Sequence, residues 1–153
     1  MARLVSSVDT SVEVEFHQFL VQDHDGPDAA VAVEPMPWED NIVVGGVGGL
    51  RIYSSATDHS PSVRLELWDE RAPDGLPGWQ FGGEARFSVV GQRLRMWSLM
   101  GVHVDEDLLL PAVGDYAAVV YQQGREAAER LEEATFVSGV ERWVIQIWPA
   151  SAG

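Results

Sequence analysis

The chain has 153 residues, 46% of them apolar, with six tryptophans, no cysteine, and 24 Asp/Glu against ten basic residues, for a formal charge of −14. The lack of cysteine excludes disulfides, thiolate metal sites and cysteine nucleophiles. The negative charge argues against nucleic acid and anionic membranes as partners, because phosphate binding needs Lys/Arg to displace counterions.

Length and apolar content fit one folded domain over residues 1–153. Residues 1–10 lack the apolar core of a signal peptide and no stretch reaches the roughly 18 apolar residues of a membrane span, so the expectation is a soluble cytoplasmic protein. All ten basic residues are arginine. Residues 1–50 hold nine acids and one Arg, residues 51–104 six of each, and residues 105–153 nine acids and three Arg. The two terminal thirds are therefore acidic and the middle is neutral.

Along the chain, strand-like alternation dominates. Val12, Val14 and Phe16 alternate with Glu13, Glu15 and His17, and at His17-Gln18 the apolar phase becomes two-sided, which predicts a β-bulge or entry into a doubly covered interior. The run Gly45-Gly46-Val47-Gly48-Gly49 reads as a flexible or tightly turned connector, followed by a strand over 50–54. Val63, Leu65 and Leu67 alternate with Arg64, Glu66 and Trp68, and the Pro/Gly-rich stretch 73–78 ends that region. Strands over 84–90 and 93–99, joined by Val90-Gly91-Gln92, predict a hairpin. Further strands are expected at 115–122 and 141–148, with a short helix over 125–134, where Glu126 and Arg130 are spaced for an ion pair. The sum is an all-β fold, an antiparallel β-sandwich or jelly-roll-like barrel of about seven or eight strands with one short peripheral helix.

Catalytic chemistry finds no support. His17, His24, His59 and His103 show no HxH, HxxxH or HExxH spacing, so no zinc site is read, although His17 and His24 flank a bend beside Asp23 and Asp25. Asp23 to Asp28 begins like a calcium loop, but its sixth position is Asp28 rather than Gly. The glycine run lacks the Lys-Ser/Thr of a phosphate cradle, and no GxSxG motif is present. No catalytic residue, metal or cofactor is assigned.

Two surfaces are candidates for binding. The acidic runs Glu39-Asp40 and Asp105-Glu106-Asp107 sit near element ends; if the first and last strands were neighbours, such charges would merge into one field that steers a basic protein partner. Trp68 shares a phase with Arg64 and Glu66, and Trp97 with Arg93 and Arg95. Trp68, Arg93, Arg95 and Trp97 thus leave their sheet opposite the Val/Leu face, either as a ligand or interface surface or beneath a second sheet or long loop.

Four segments carry a resemblance: Glu15-Phe16-His17-Gln18-Phe19-Leu20-Val21, Pro37-Trp38, Gly114-Asp115-Tyr116, and Trp143 to Pro149. In order and spacing, from about residue 12 to 149, the chain resembles the competence protein ComJ family of small acidic β-rich proteins, the best known of which bind and inhibit a DNA-entry nuclease. The resemblance implies a noncatalytic binding protein whose partner is a basic protein, a nuclease in particular. It carries over no inhibitory residues. The alternative is a β-sandwich that binds a small molecule or carbohydrate on its Trp/Arg surface.

Overall fold

In a computed structural model of the protein, which describes residues 1–25, 42–132 and 136–152, ten strands form two five-stranded sheets that face one another. The strands are β1 (Leu4–Ser11), β2 (Gln18–Asp23), β3 (Val43–Gly46), β4 (Gly49–Tyr53), β5 (Ser60–Trp68), β6 (Gln80–Val89), β7 (Arg93–Ser98), β8 (Leu108–Leu109), β9 (Gly114–Gln123) and β10 (Ser138–Pro149). One helix, α1 (Arg125–Glu129), precedes β10, and a 3-10 turn (Ala150–Ala152) follows it. The first sheet runs β1-β5-β10-β9-β6 and the second β3-β4-β2-β7-β8. Every pairing is antiparallel except β5 with β10, which is parallel. The sandwich expected from alternation is present, and β1, β3 and the two-residue β8 take the strand count past the expected seven or eight. Among the described residues no helix is long and apolar enough to cross a membrane.

The inner faces supply one cluster that includes Phe19, Val21, Leu50, Ile52, Leu65, Leu94, Met96, Val120, Trp143 and Ile145. Burying side chains of this size from both sheets is the main stabilising contribution, on the order of 2 kcal/mol each. Central strands β9 and β10 are buried on both faces over Tyr116–Gln122 and Trp143–Trp148, which explains their near-continuous apolar runs. At the start of β9 the Tyr116 hydroxyl donates to the Ala112 carbonyl oxygen at 2.7 Å, fixing the entrance of the Gly114-Asp115-Tyr116 segment. The glycine run is a tight β3–β4 hairpin. A Cβ at Gly45 would overlap the Arg86 carbonyl, and one at Gly49 would overlap that of Val21, so these two positions allow β3 to approach β6 and β4 to approach β2.

Three expectations change. Residues 84–90 and 93–99 do not form a hairpin: β6 pairs with β9 in the first sheet, while β7 pairs with β2 and β8 in the second. The connection arches between sheets because the Asp23 carboxylate accepts the amides of Val90 (2.8 Å) and Gly91 (3.0 Å), drawing the turn onto the end of β2. The phase change at His17-Gln18 is not a bulge but a turn, and beyond it β2 enters the doubly covered interior that the two-sided phase allowed, with Phe19 to Asp23 all buried. Phe16 and His17 have φ of 53° and 63°, and Glu15 and Gln18 exchange backbone hydrogen bonds across them, the pattern of a two-residue primed hairpin turn. Phe16, in phase with buried Val12 and Val14, is consequently 63% exposed. Finally, β1 and β10 are not neighbours; β5 lies between them.

Candidate functional site

β7 presents alternate residues to opposite sides. Leu94 and Met96 enter the core, so Arg93, Arg95 and Trp97 leave on the outer face of the second sheet. The acidic loop before β8 folds against that face. Arg95 donates to Asp107 through two hydrogen bonds, of 2.7 and 3.1 Å, with both side chains 15% exposed. Arg93 grips Asp25 in the same forked way, at 2.6 and 3.2 Å, and reaches Asp107 at 3.9 Å. Arg93's hydrogen bonds hold the Asp25 carboxyl below the usual carboxylate range. The Trp97 ring lies 4.9 Å from that of His103, whose Nδ1 is 3.6 Å from Asp105.

The acidic loop and the Arg/Trp strand, separate in sequence, are thus one surface. Asp25 from the first acidic third and Asp107 from the last are gathered around arginines of the neutral middle. Asp107 is neutralised there, which leaves Asp105 and Glu106 as the exposed carboxylates of the loop. Glu39 and Asp40, and Pro37-Trp38 of the resemblance, lie outside the described residues.

Trp68 is elsewhere. It sits on the outer face of the first sheet, where the loop over residues 69–79 covers it, and with Leu76 and Trp79 it packs on Ala117, Val144 and Trp148. Its indole donates to Glu66 at 3.0 Å, and Glu66 also accepts from Arg64 (2.8 Å) and Gln146 (3.0 Å). The sandwich therefore does not bring Trp68 together with Arg93, Arg95 and Trp97. Beside the covering loop runs an open trough of 480 Å³, lined by Thr10, Ser62, Arg64, Trp79 and Arg142 among others. Sequence reasoning passed over Trp79; the signal available was a tryptophan directly after the turn Pro77-Gly78.

His17 and His24 stand at opposite ends of the six-residue strand β2, about 20 Å apart at the usual rise per residue, so they cannot share a metal ion. His59 is buried at 2% exposure, and Ser54 Oγ lies 2.7 Å from its Nε2. Desolvation pushes the His59 pKa below 6.5, with His17 adding to the fall and the Glu141 carboxylate opposing it. Ser54 also accepts the Ala56 amide at 3.2 Å and is 4% exposed, so its bond to His59 closes a turn rather than arming a nucleophile. Glu141, fully buried, accepts from Ser55 and from the Trp143 indole.

No protein-family model matches the chain, and no curated protein matches it. Two solved structures do, each along nearly its whole length. The crystal structure of ComJ from Bacillus subtilis, an inhibitor of the DNA degrading activity of NucA, superposes with a TM-score of 0.62 at 14% identity, covering 98% of this chain and 99% of that one. The fold resembles that of ComJ. A protein described as crocagin biosynthetic gene J superposes with a TM-score of 0.56, again at 14% identity and with 98% and 99% coverage. The ComJ likeness expected from four short segments therefore extends to the fold of the whole sandwich.

Proposed function

We propose that the protein is a noncatalytic inhibitor that binds a cationic nuclease, with its carboxylates occupying the surface on which that enzyme holds DNA. The observation that carries this reading is the end-to-end likeness to ComJ, a nuclease inhibitor, in a chain of charge −14. A DNA-cleaving enzyme must present basic groups to phosphate, and an acidic protein complements them. Asp105 and Glu106, exposed on the loop before β8, are carboxylates available for this contact, and Glu39 and Asp40 are assigned to it as well. The test is capture of partners from the host on the immobilised protein at low salt, then assay of the eluted protein for DNA cleavage with and without added inhibitor. Recovery of a basic nuclease that the protein silences supports the reading. Recovery of a nuclease that keeps full activity in its presence contradicts it.

A second reading is favoured by the trough beside Trp79. A volume of 480 Å³ lies within the range of small-molecule sites, and an indole beside Arg64, Arg142 and the hydroxyls of Thr10 and Ser62 suits a sugar ring or carboxylated sugar. The fold is shared with a protein described as a biosynthetic gene product, so it is not tied to nuclease inhibition. Loss of binding on a glycan array after Trp79→Ala, with the fold intact, would support this reading over the first.

A further inference from the structure

At one end of the sandwich four chain segments meet. The Glu15–Gln18 turn receives a hydrogen bond from Met100 N–H onto Glu15 Oε1 (3.0 Å), and Phe16 N–H donates to Thr57 Oγ1 (2.9 Å). Asp58 N–H donates to the Val14 carbonyl (3.0 Å), and Phe136 N–H to the Asp58 carbonyl (2.9 Å). The meeting point encloses a cleft of 190 Å³ lined by Glu13, Glu15, Asp58, His59 and Phe136. Phe136, 72% exposed, lines it, and Phe16 and Met100, whose amides tie them to the same segments, are 63% and 68% exposed.

Two further features stand at the cleft. Phe136 has a left-handed backbone conformation, with φ of 57°, which a bulky residue adopts at a cost. His59 is buried against the cleft, and its Nδ1 has no hydrogen-bond partner, although nearly all buried polar atoms in folded proteins find one. No ion pair among the described residues engages Glu13 or Glu15.

We propose that this cleft is a binding site for a cationic side chain, an arginine of a protein partner, which enters between Phe136 and the carboxylates of Glu13 and Glu15. Phe136 gives the guanidinium an aromatic face, the carboxylates accept its N–H groups, and Phe16 and Met100 form the apolar ring that excludes water around such an anchor. The inference rests on the reading of the protein as a binder of a basic partner, and it moves the anchor of that contact from the loop before β8 to the opposite kind of surface, one with both apolar and acidic character.

The probe is N-acetyl-arginine amide, with the uncharged N-acetyl-citrulline amide as control, titrated into the isotopically labelled full chain and followed by NMR. The expected result is saturable change confined to the amides of Glu13, Glu15, Asp58 and Phe136 and to the His59 imidazole nitrogens, with citrulline binding about tenfold more weakly because it lacks the charge. Phe136→Ala and the pair Glu13→Gln with Glu15→Gln should each remove the response. Changes centred on Asp105 and Glu106, equal responses to the two compounds, or no saturable change would each overturn the proposal. A cleft that binds the arginine compound in a protein that captures no basic partner would count against the inhibitor reading alone.

Discussion

Arg95 and Asp107 are locked by two hydrogen bonds, the tightest side-chain contact between the Arg/Trp strand β7 and the acidic loop that precedes β8. Both residues are 15% exposed, so removing one leaves its partner largely desolvated and unpaired. Asp107→Asn should therefore lower stability by about 1–2 kcal/mol, read as a lower urea midpoint with unchanged slope. Because Asp107 is already neutralised, the same change should alter the rate of association with a basic partner less than Asp105→Asn combined with Glu106→Gln does.

The carboxylate of Asp23 holds the arch from β6 to β7 by accepting the amides of Val90 and Gly91. Asp23 is 3% exposed. Asp23→Ala should cost about 2–3 kcal/mol, with the largest loss of hydrogen-exchange protection at the amides of Val90 and Gly91.

Phe16 occupies a left-handed position with its ring in solvent. Asparagine tolerates that backbone better, so Phe16→Asn should raise stability by roughly 0.5–1 kcal/mol. A rise in thermal midpoint together with weaker partner binding is the expected pair of results. A fall in both would mean that the ring supports the turn instead.

His59 supplies a pH dependence whose sign follows from its burial. The unfolded chain takes up a proton on this residue near 6.5, whereas folded His59 resists protonation because the charged form would be desolvated. The unfolded state thus binds more protons as pH falls below 6.5, stability declines through that window, and the decline levels off below the depressed folded value. His59→Gln should flatten the change in urea midpoint between about pH 7.5 and 5.5.

Much of the fold was legible because alternation reports which face of a strand is buried. Val63, Leu65 and Leu67 on β5, and Leu94 and Met96 on β7, all lie in the core as their phase requires. Periodicity does not report the partner. The hairpin expected at 90–92 became an arch because a carboxylate 67 residues away captures its amides, and nothing local encodes that contact. β1 was missed because its sequence, LVSSVDTS, alternates poorly and most of it is exposed on the edge of its sheet. Trp68 could be assigned to an outer face but not to an open one, since its cover is the loop over residues 69–79. The cleft at the end of the sandwich draws on residues 13–15, 58–59 and 136, and Phe16 beside it was misplaced by its own apolar phase.

Whether this acidic sandwich neutralises a DNA-cleaving enzyme, as proposed, is decided by titrating the protein into the nuclease it captures and following DNA degradation. Complete loss of cleavage is expected at about one equivalent at low salt, with activity returning as ionic strength rises and screens the contact. Undiminished DNA degradation at about a tenfold molar excess, under salt conditions where charges remain unscreened, would contradict it.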